Sequence, residues 1–162
     1  MLGPSDGPEP APWRLLLGLG NPGPEYAGTR HNVGFEVLDL FTARRKLRWE
    51  LAGSAWHARC AEARCLVVKP LTYMNRSGAV LRAACRIAPP AGPASVFVVA
   101  DDFHLALGGL RLRATGSTGG HKGLDSIEEA LASTDYPRLL DGRTLAIKFR
   151  ISFSIREAGD ST

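Results

Sequence analysis

Three stretches of the chain share one pattern, in which a run of apolar residues ends in polar side chains. They are RLLLGLGN (14–21), CLVVKPLTYMN (65–75) and SVFVVADD (95–102). Because the apolar runs are continuous and do not alternate with polar residues, they predict strands buried on both faces, as in a parallel sheet. The carboxyl ends of such strands form the ligand crevice of an open α/β sheet. We therefore expect Asn21, Asn75 and Asp101 to meet at one edge of the sheet.

Helical patterns lie between these predicted strands. One begins at Val33 and places four apolar residues on one face: Val33, Val37, Leu40 and Phe41. A second begins at Ser77 and is stopped by Pro89, and a third begins near His121. The segment WHARCAEARC (56–65) is typical of a short hairpin. The sequence thus predicts a single α/β domain whose mixed, mostly parallel β-sheet is flanked by helices.

Composition narrows the class of protein. Of the 162 residues, 44% are hydrophobic and 22% are charged, which is typical of a soluble globular domain. No apolar run approaches the ~20 residues of a membrane helix, so no membrane association is expected. Residues 1–13 are rich in Pro and Gly and predict a disordered tail. They have neither signal nor transit character, so the cytoplasm is expected, with an organelle left open.

The net charge of +4 is compatible with a polyanionic partner such as nucleic acid. Three cysteines, Cys60, Cys65 and Cys85, show no CxxC spacing. Together with His57 they allow a metal site to be considered, but burial as small apolar residues is the favoured interpretation. No metal is expected.

The glycines at 18, 20 and 23 fit G-x-G-x-x-G, a pattern of dinucleotide-binding proteins. In that pattern the third glycine opens a helix whose N-terminus faces the pyrophosphate. Here Pro22 and Pro24 flank Gly23, and no helical period precedes Asn32. These prolines disfavour a nucleotide-dependent oxidoreductase, and no cofactor is expected.

Three motifs carry a family resemblance. GLGNPGPEYAGTRHNVGF (18–35), KPLTYMNRSG (69–78) and GSTGGHKGL (116–124) occur in this order. With these motifs the chain resembles the bacterial-type peptidyl-tRNA hydrolases over residues 14–139. The resemblance implies hydrolysis of the ester between peptide and tRNA, with peptidyl-tRNA as the partner and a monomer as the working unit.

Ester hydrolysis needs a base that activates water and donors that stabilise the oxyanion. His31 fits the base because imidazole titrates near neutral pH. Asp101 fits the acceptor of its other ring N–H. By the resemblance these two are the catalytic pair, and Asn21 orients the histidine and holds the peptide. Taken alone, His31 fits a packing or capping loop residue and Asp101 a turn-forming carboxylate. The motif context favours catalysis for both.

The resemblance implies substrate-binding roles for six further residues: Tyr26, Asn32, Met74, Asn75, His121 and Lys122. Asn75 is expected to bind a substrate carbonyl or position the water, and a helix N-cap is its structural alternative. Ordinary packing is the alternative for Tyr26 and Met74.

The tRNA is expected near the glycine-rich loop before His121, where helix N–H groups offer an anion site. Arg111 and Arg113 alternate along a predicted strand and share one face. They can contact backbone phosphate without reading sequence, and a solvated basic strand face is the alternative.

The chain departs from the family at two places. Lys122 stands where the family usually has an asparagine, and a lysine cannot reproduce the pairing of an amide. The segment 140–162 is divergent, with apolar residues alternating over 145–155. That alternation predicts one amphipathic strand plus a tail. The other interpretation is that this segment is an alternative C-terminal sequence that does not join the sheet and leaves apolar sheet surface exposed. A catalytically impaired RNA-binding form of the same fold is therefore the second functional hypothesis.

Overall fold

The computed structural model describes residues 13–106 and 108–142. Within these ranges the chain forms one sheet of seven strands in the order β2-β3-β4-β1-β5-β7-β6. The strands are β1 (Leu15–Gly18), β2 (Glu50–Ala52), β3 (Ala55–Cys60), β4 (Cys65–Pro70), β5 (Val96–Asp101), β6 (Leu110–Arg113) and β7 (Arg138–Asp141). The helices are α1 (Val33–Arg44), α2 (Ser77–Ile87) and α3 (Lys122–Leu131).

The centre of the sheet is parallel and its edges are antiparallel. β4, β1, β5 and β7 run parallel to their neighbours in this group. β3 pairs antiparallel with β4 and with β2, and β6 pairs antiparallel with β7. The prediction of a mixed sheet flanked by helices is confirmed, and so is the hairpin of β3 and β4.

The two faces of the sheet carry separate apolar layers. Leu15 and Leu17 of β1 pack on the face covered by α2 and α3. Leu16, between them, packs on the opposite face against Val37 and Phe41 of α1. All three leucines are fully buried. Side chains of a strand alternate between faces, so a continuous apolar run is what a strand covered on both sides requires.

The glycine pattern near the N-terminus serves close packing between β1 and α1. A Cβ at Gly18 would lie 2.5 Å from the carbonyl oxygen of Gly34, and one at Gly34 would lie 2.5 Å from that of Leu19. Two short 3₁₀ turns, Pro24–Tyr26 and Arg30–Asn32, lie between Gly18 and Gly34 in the chain. As predicted, no α-helix begins at Gly23, which precedes only the first of these 3₁₀ turns.

Several predictions from sequence fall on residues that the structure does not describe. The N-terminal tail up to residue 12 and the amphipathic segment 145–155 lie outside the described residues. β7 extends to Asp141, across the boundary placed after residue 139. In the described part of the chain, none of the helices has the length and apolar character to cross a bilayer.

Candidate active site

The site lies where the carboxyl ends of β1, β4 and β5 meet. Asn21 follows β1, and its Oδ1 accepts a hydrogen bond of 2.7 Å from the backbone N–H of Met74, which follows β4. Asp101 is the last residue of β5 and is buried. The three strand ends are thus adjacent, as the sequence predicts, because parallel strands present their carboxyl ends at one edge.

Asp101 lies between two histidines that come from different loops. The Nδ1 of His31 is 3.1 Å from Oδ2 of Asp101, and the Nε2 of His121 is 2.8 Å from Oδ1. The imidazole rings stand edge to face, with centroids 6.3 Å apart. The His31 contact is at ion-pair distance without the alignment of a hydrogen bond, so within the described residues Oδ2 has no well-directed donor. Such contacts commonly tighten when substrate binds.

His31 and Asp101 differ sharply in exposure. The side chain of His31 is 54% exposed, whereas that of Asp101 is fully buried. Burial by itself raises the pKa of the Asp101 carboxyl, but the hydrogen bond and electrostatic interaction with His121, with a smaller contribution from His31, outweigh it. The pKa therefore lies below the ordinary value of 3.8. The carboxyl is an anion at neutral pH, with an imidazole in front of it that solvent can reach.

The backbone fixes the tautomer of His121. This residue is the N-cap of α3, and its Nδ1 accepts hydrogen bonds of 3.1 and 3.2 Å from the N–H groups of Gly123 and Leu124. A neutral imidazole carries one proton, so that proton must be on Nε2, which donates it to Asp101. Both ring nitrogens of His121 are thereby occupied.

Asn32 holds the loop that carries Asn21. Its Oδ1 accepts from the backbone N–H of Asn21 at 2.7 Å, and its Nδ2 donates to the carbonyl of Asn21 at 3.0 Å. The Asn32 side chain is buried, so these two bonds form away from bulk water. The Asn32 carboxamide therefore links the start of α1 to the loop after β1.

The remaining predicted substrate-binding residues lie around this edge. Tyr26 ends a 3₁₀ turn and is half-buried, Met74 is buried, and Asn75 is exposed in the turn Met74–Arg76. Lys122 is exposed at the first position of α3. The two predicted tRNA-contacting arginines, Arg111 and Arg113, lie on β6 at the far edge of the sheet, with Arg111 exposed.

Two details differ from the sequence prediction. Asn75 does not cap α2, because Arg76 occupies that position and makes no side-chain cap. Two N–H groups predicted to be open to an anion, those of Gly123 and Leu124, bind the His121 ring instead. The Oδ1 of Asn21, a residue expected to orient His31, accepts from the backbone of Met74, and this bond does not involve its Nδ2.

The bond between His121 and Asp101 is the feature that sequence reasoning missed. His121 was predicted to bind substrate, and the structure buries it behind the aspartate. A polar side chain directly before a helix is a local signal for an N-cap. No local signal points to the aspartate 20 positions earlier.

His31, Asp101 and His121 offer three candidate metal-ligand atoms within 4.8 Å of one another, and the described residues contain no other such group. Hydrogen bonds already occupy both nitrogens of His121. His57 and the cysteines do not join a cluster of this kind, and Cys60 and Cys65 are buried.

Comparison with known proteins agrees with this geometry. The sequence profile of the family described as peptidyl-tRNA hydrolase matches residues 15–142. A peptidyl-tRNA hydrolase of Synechococcus sp. (strain JA-3-3Ab) is 46% identical over 136 residues, which are 82% of this chain and 60% of that protein. One from Syntrophomonas wolfei is 42% identical over 132 residues, 80% of this chain and 72% of that protein.

A solved structure gives the same result. The crystal structure of the peptidyl-tRNA hydrolase from Acinetobacter baumannii superposes with a TM-score of 0.75 at 27% identity, covering 96% of this chain and 85% of the other. The present chain spans about 60% of the length of the Synechococcus relative. Profile, sequence relatives and fold agree, and the chain belongs to the peptidyl-tRNA hydrolase family.

Proposed function

We propose that this chain hydrolyses the ester between peptide and tRNA in peptidyl-tRNA, releasing the peptide and free tRNA. The observation that carries the proposal is the contact of 3.1 Å between the exposed His31 ring and the buried Asp101 carboxylate. It occurs in a chain of the peptidyl-tRNA hydrolase family, at the sheet edge where α/β proteins bind their ligands.

His31 acts as the general base. When Asp101 accepts the Nδ1–H of His31, the lone pair of the ring is on Nε2, on the side of the ring away from the carboxylate. Nε2 then takes a proton from water as the water attacks the ester carbonyl. The Asp101 anion stabilises the imidazolium that forms, and the ring returns the proton to the leaving ribose oxygen.

Two carboxamides bind the substrate. Because the Oδ1 of Asn21 already accepts from Met74, Asn21 offers its Nδ2 N–H groups to the peptide. Asn75, the residue after Met74, is exposed and donates to the ester carbonyl or positions the water. Tyr26 and Met74 form the walls of the cleft.

His121 is a positioning residue. Its nitrogens are taken by α3 and by Asp101, so it holds the carboxylate toward His31 and makes no polar contact with substrate. Asn32 has a similar indirect role, since it fixes the backbone of Asn21.

The tRNA backbone binds along the side of the site that carries Lys122, Arg111 and Arg113. Lys122 and Arg111 are exposed, and a lysine or arginine neutralises a phosphate without reading its base. We propose a monomer as the working unit. The cytoplasm, as a place of translation, is the proposed compartment.

The test is release of an N-acetylated amino acid from tRNA by the purified full chain, compared with His31→Ala. The matched control is His57→Gln, a half-buried histidine on β3 outside the site. The proposal predicts hydrolysis by the wild type and by the control, and a loss of about 10²–10⁴-fold in His31→Ala. Binding of tRNA with the ester left intact would instead support an RNA-binding form without catalysis. Equal rates for wild type and His31→Ala would defeat the mechanism.

A further inference from the structure

Two cysteines lie directly opposite each other at the closed end of a hairpin. Cys60 is the last residue of β3 and Cys65 the first of β4, and they are partners in the antiparallel register. Directly opposed residues of an antiparallel pair have Cα atoms about 4.5–5.5 Å apart, within the range that a disulfide spans. Both side chains pack in the same apolar layer under α1. The register therefore places the two residues at a separation compatible with a disulfide.

The surroundings give the two thiols different properties. The hydrogen bond from Cys65, with a contribution from Arg45, lowers the pKa of Cys60 against the effect of burial. The Nη1 of Arg45 is 4.0 Å from the Cys60 sulfur and 3.4 Å from Oε2 of Glu62. The pKa of Cys65 is raised, because its thiol donates to Cys60 and is buried. The Arg45 guanidinium beside Cys60 favours its thiolate, the state in which sulfur acts as a nucleophile.

The third cysteine is separated from this pair. Cys60 and Cys65 belong to the apolar layer under α1, whereas Cys85 on α2 packs against the layer on the opposite face of the sheet. Burial raises the pKa of Cys85. Any intramolecular disulfide of this fold is confined to the hairpin.

We propose that Cys60 and Cys65 are a reversible modification site that closes to an intramolecular disulfide when the protein meets a hydroperoxide such as hydrogen peroxide. The Cys60 thiolate attacks one peroxide oxygen, the O–O bond breaks, and the released hydroxide takes up a proton to become water. The resulting sulfenic acid is attacked by Cys65, which forms the S–S bond and expels the sulfenic oxygen as a second water. Two thiols are oxidised and one peroxide is reduced. A small oxidant suits sulfurs whose residues are only 2% and 5% exposed.

The pair is remote from the candidate active site. The catalytic edge follows the carboxyl ends of β4 and β5, whereas Cys65 begins β4, a six-residue strand. At ~3.3 Å per residue, the length of the strand separates them. The modification therefore concerns the hairpin and leaves the His31 site chemically untouched.

The test treats the full chain with hydrogen peroxide near one equivalent, alkylates the remaining thiols and measures intact mass and linked peptides. We expect a mass lower by about 2 Da before alkylation, one alkylated cysteine (Cys85) in place of three, and a linked peptide joining Cys60 to Cys65. Dithiothreitol should restore three alkylated cysteines. Cys85→Ser is the matched control and should still lose the two hydrogens.

The resolving role of Cys65 has its own variant. Cys65→Ser should stop at the sulfenic acid of Cys60, seen as a gain of about 16 Da that a dimedone probe captures. Three alkylatable thiols after treatment of the wild type, or oxygen added to Cys60 without the Cys60–Cys65 link, would overturn the proposal. The readout is mass, so it stands independently of any hydrolysis assay.

Discussion

Replacing Asp101 by asparagine tests how the site controls the proton on His31. The substitution keeps the size of the side chain and changes one oxygen into an NH₂ group. Because the Nδ1 of His121 is held by the N–H groups of Gly123 and Leu124, the Nε2 of His121 must remain a donor. The carbonyl of Asn at position 101 must therefore face His121, and its NH₂ must face His31.

This orientation puts the His31 proton on the wrong nitrogen. An NH₂ group in front of Nδ1 makes that atom an acceptor, so the ring proton moves to Nε2, which can then no longer take one from water. A general base contributes about 10²–10⁴-fold, and the corresponding change in a Ser-His-Asp triad costs about 10⁴. We expect Asp101→Asn to lower kcat by about 10³–10⁴-fold, or about 4–5.5 kcal/mol, with little change in KM.

The assay is single-turnover hydrolysis of N-acetylated aminoacyl-tRNA, with Asp102→Asn as the matched control. Asp102 is the neighbouring residue, and its Oδ1 accepts from the backbone N–H of His104, a bond that asparagine keeps. The hydrolysis rate of the control should stay within about threefold of wild type, the size of effect expected for a residue outside the catalytic site. An Asp101→Asn rate within that same range would refute the reasoning.

A double variant separates the tautomer argument from simple loss of charge. In His121→Asn, the new Oδ1 stands where Nδ1 stood, so it can still cap α3, but the side chain no longer reaches residue 101. The amide at residue 101 can then turn its oxygen toward His31. We expect Asp101→Asn with His121→Asn to hydrolyse about tenfold faster than Asp101→Asn alone, which is about 1.4 kcal/mol. A double variant no faster than the single one would contradict the orientation argument.

Three further predictions concern the framework around the site. Because the pKa of Asp101 is depressed in the folded protein, its carboxylate stabilises the fold fully above the ordinary value of 3.8, and this stabilisation is lost as the pH falls through the lower folded pKa. Acid denaturation of Asp101→Asn should therefore lack the loss of stability that protonation of Asp101 causes in the wild type. Asn32→Ala removes both hydrogen bonds to the backbone of Asn21. It should lower kcat/KM about tenfold and the free energy of unfolding, measured in urea, by about 2 kcal/mol. Unchanged values would show that these two hydrogen bonds are not needed for the site. Arg138 is fully buried and donates to the carbonyls of Gly116, Thr134 and Tyr136, so Arg138→Met should cost about 3 kcal/mol of stability with an unchanged m-value, and a loss below about 0.5 kcal/mol would contradict this role.

The central part of the fold could be predicted because burial on both faces leaves a direct trace in the sequence. The runs that became β1, β4 and β5 are apolar at nearly every position between their ends, Lys69 near the end of β4 being the exception, as a strand covered by helices on both sides requires. The edge strands of the sheet are harder to predict from the sequence. β2 has three residues and all are exposed, so neither alternation nor a continuous apolar run marks it.

The sequence predicted most residues of the candidate site but only some of the contacts between them. Polar residues at strand ends placed Asn21 and Asp101 at one edge, and the motif context singled out His31. The partners of each side chain depend on where loops from separate segments come to lie. Thus the bonds from Asn32 to Asn21 and from His121 to Asp101 follow from packing that no local pattern encodes. Within the described residues, no contact explains the lysine at position 122, where the family resemblance implies an amide.

Rescue of His31→Ala by added imidazole tests the central claim most directly. The His31 side chain is 54% exposed, so its removal leaves a space in front of Asp101 that imidazole can enter from solvent. The account predicts that hydrolysis of N-acetylated aminoacyl-tRNA falls by about 10²–10⁴-fold in His31→Ala and rises with imidazole concentration toward saturation. It also predicts no such rise when Asp101→Asn is added. A His31→Ala enzyme as fast as wild type, or one that imidazole accelerates equally with and without the Asp101 carboxylate, would contradict the account.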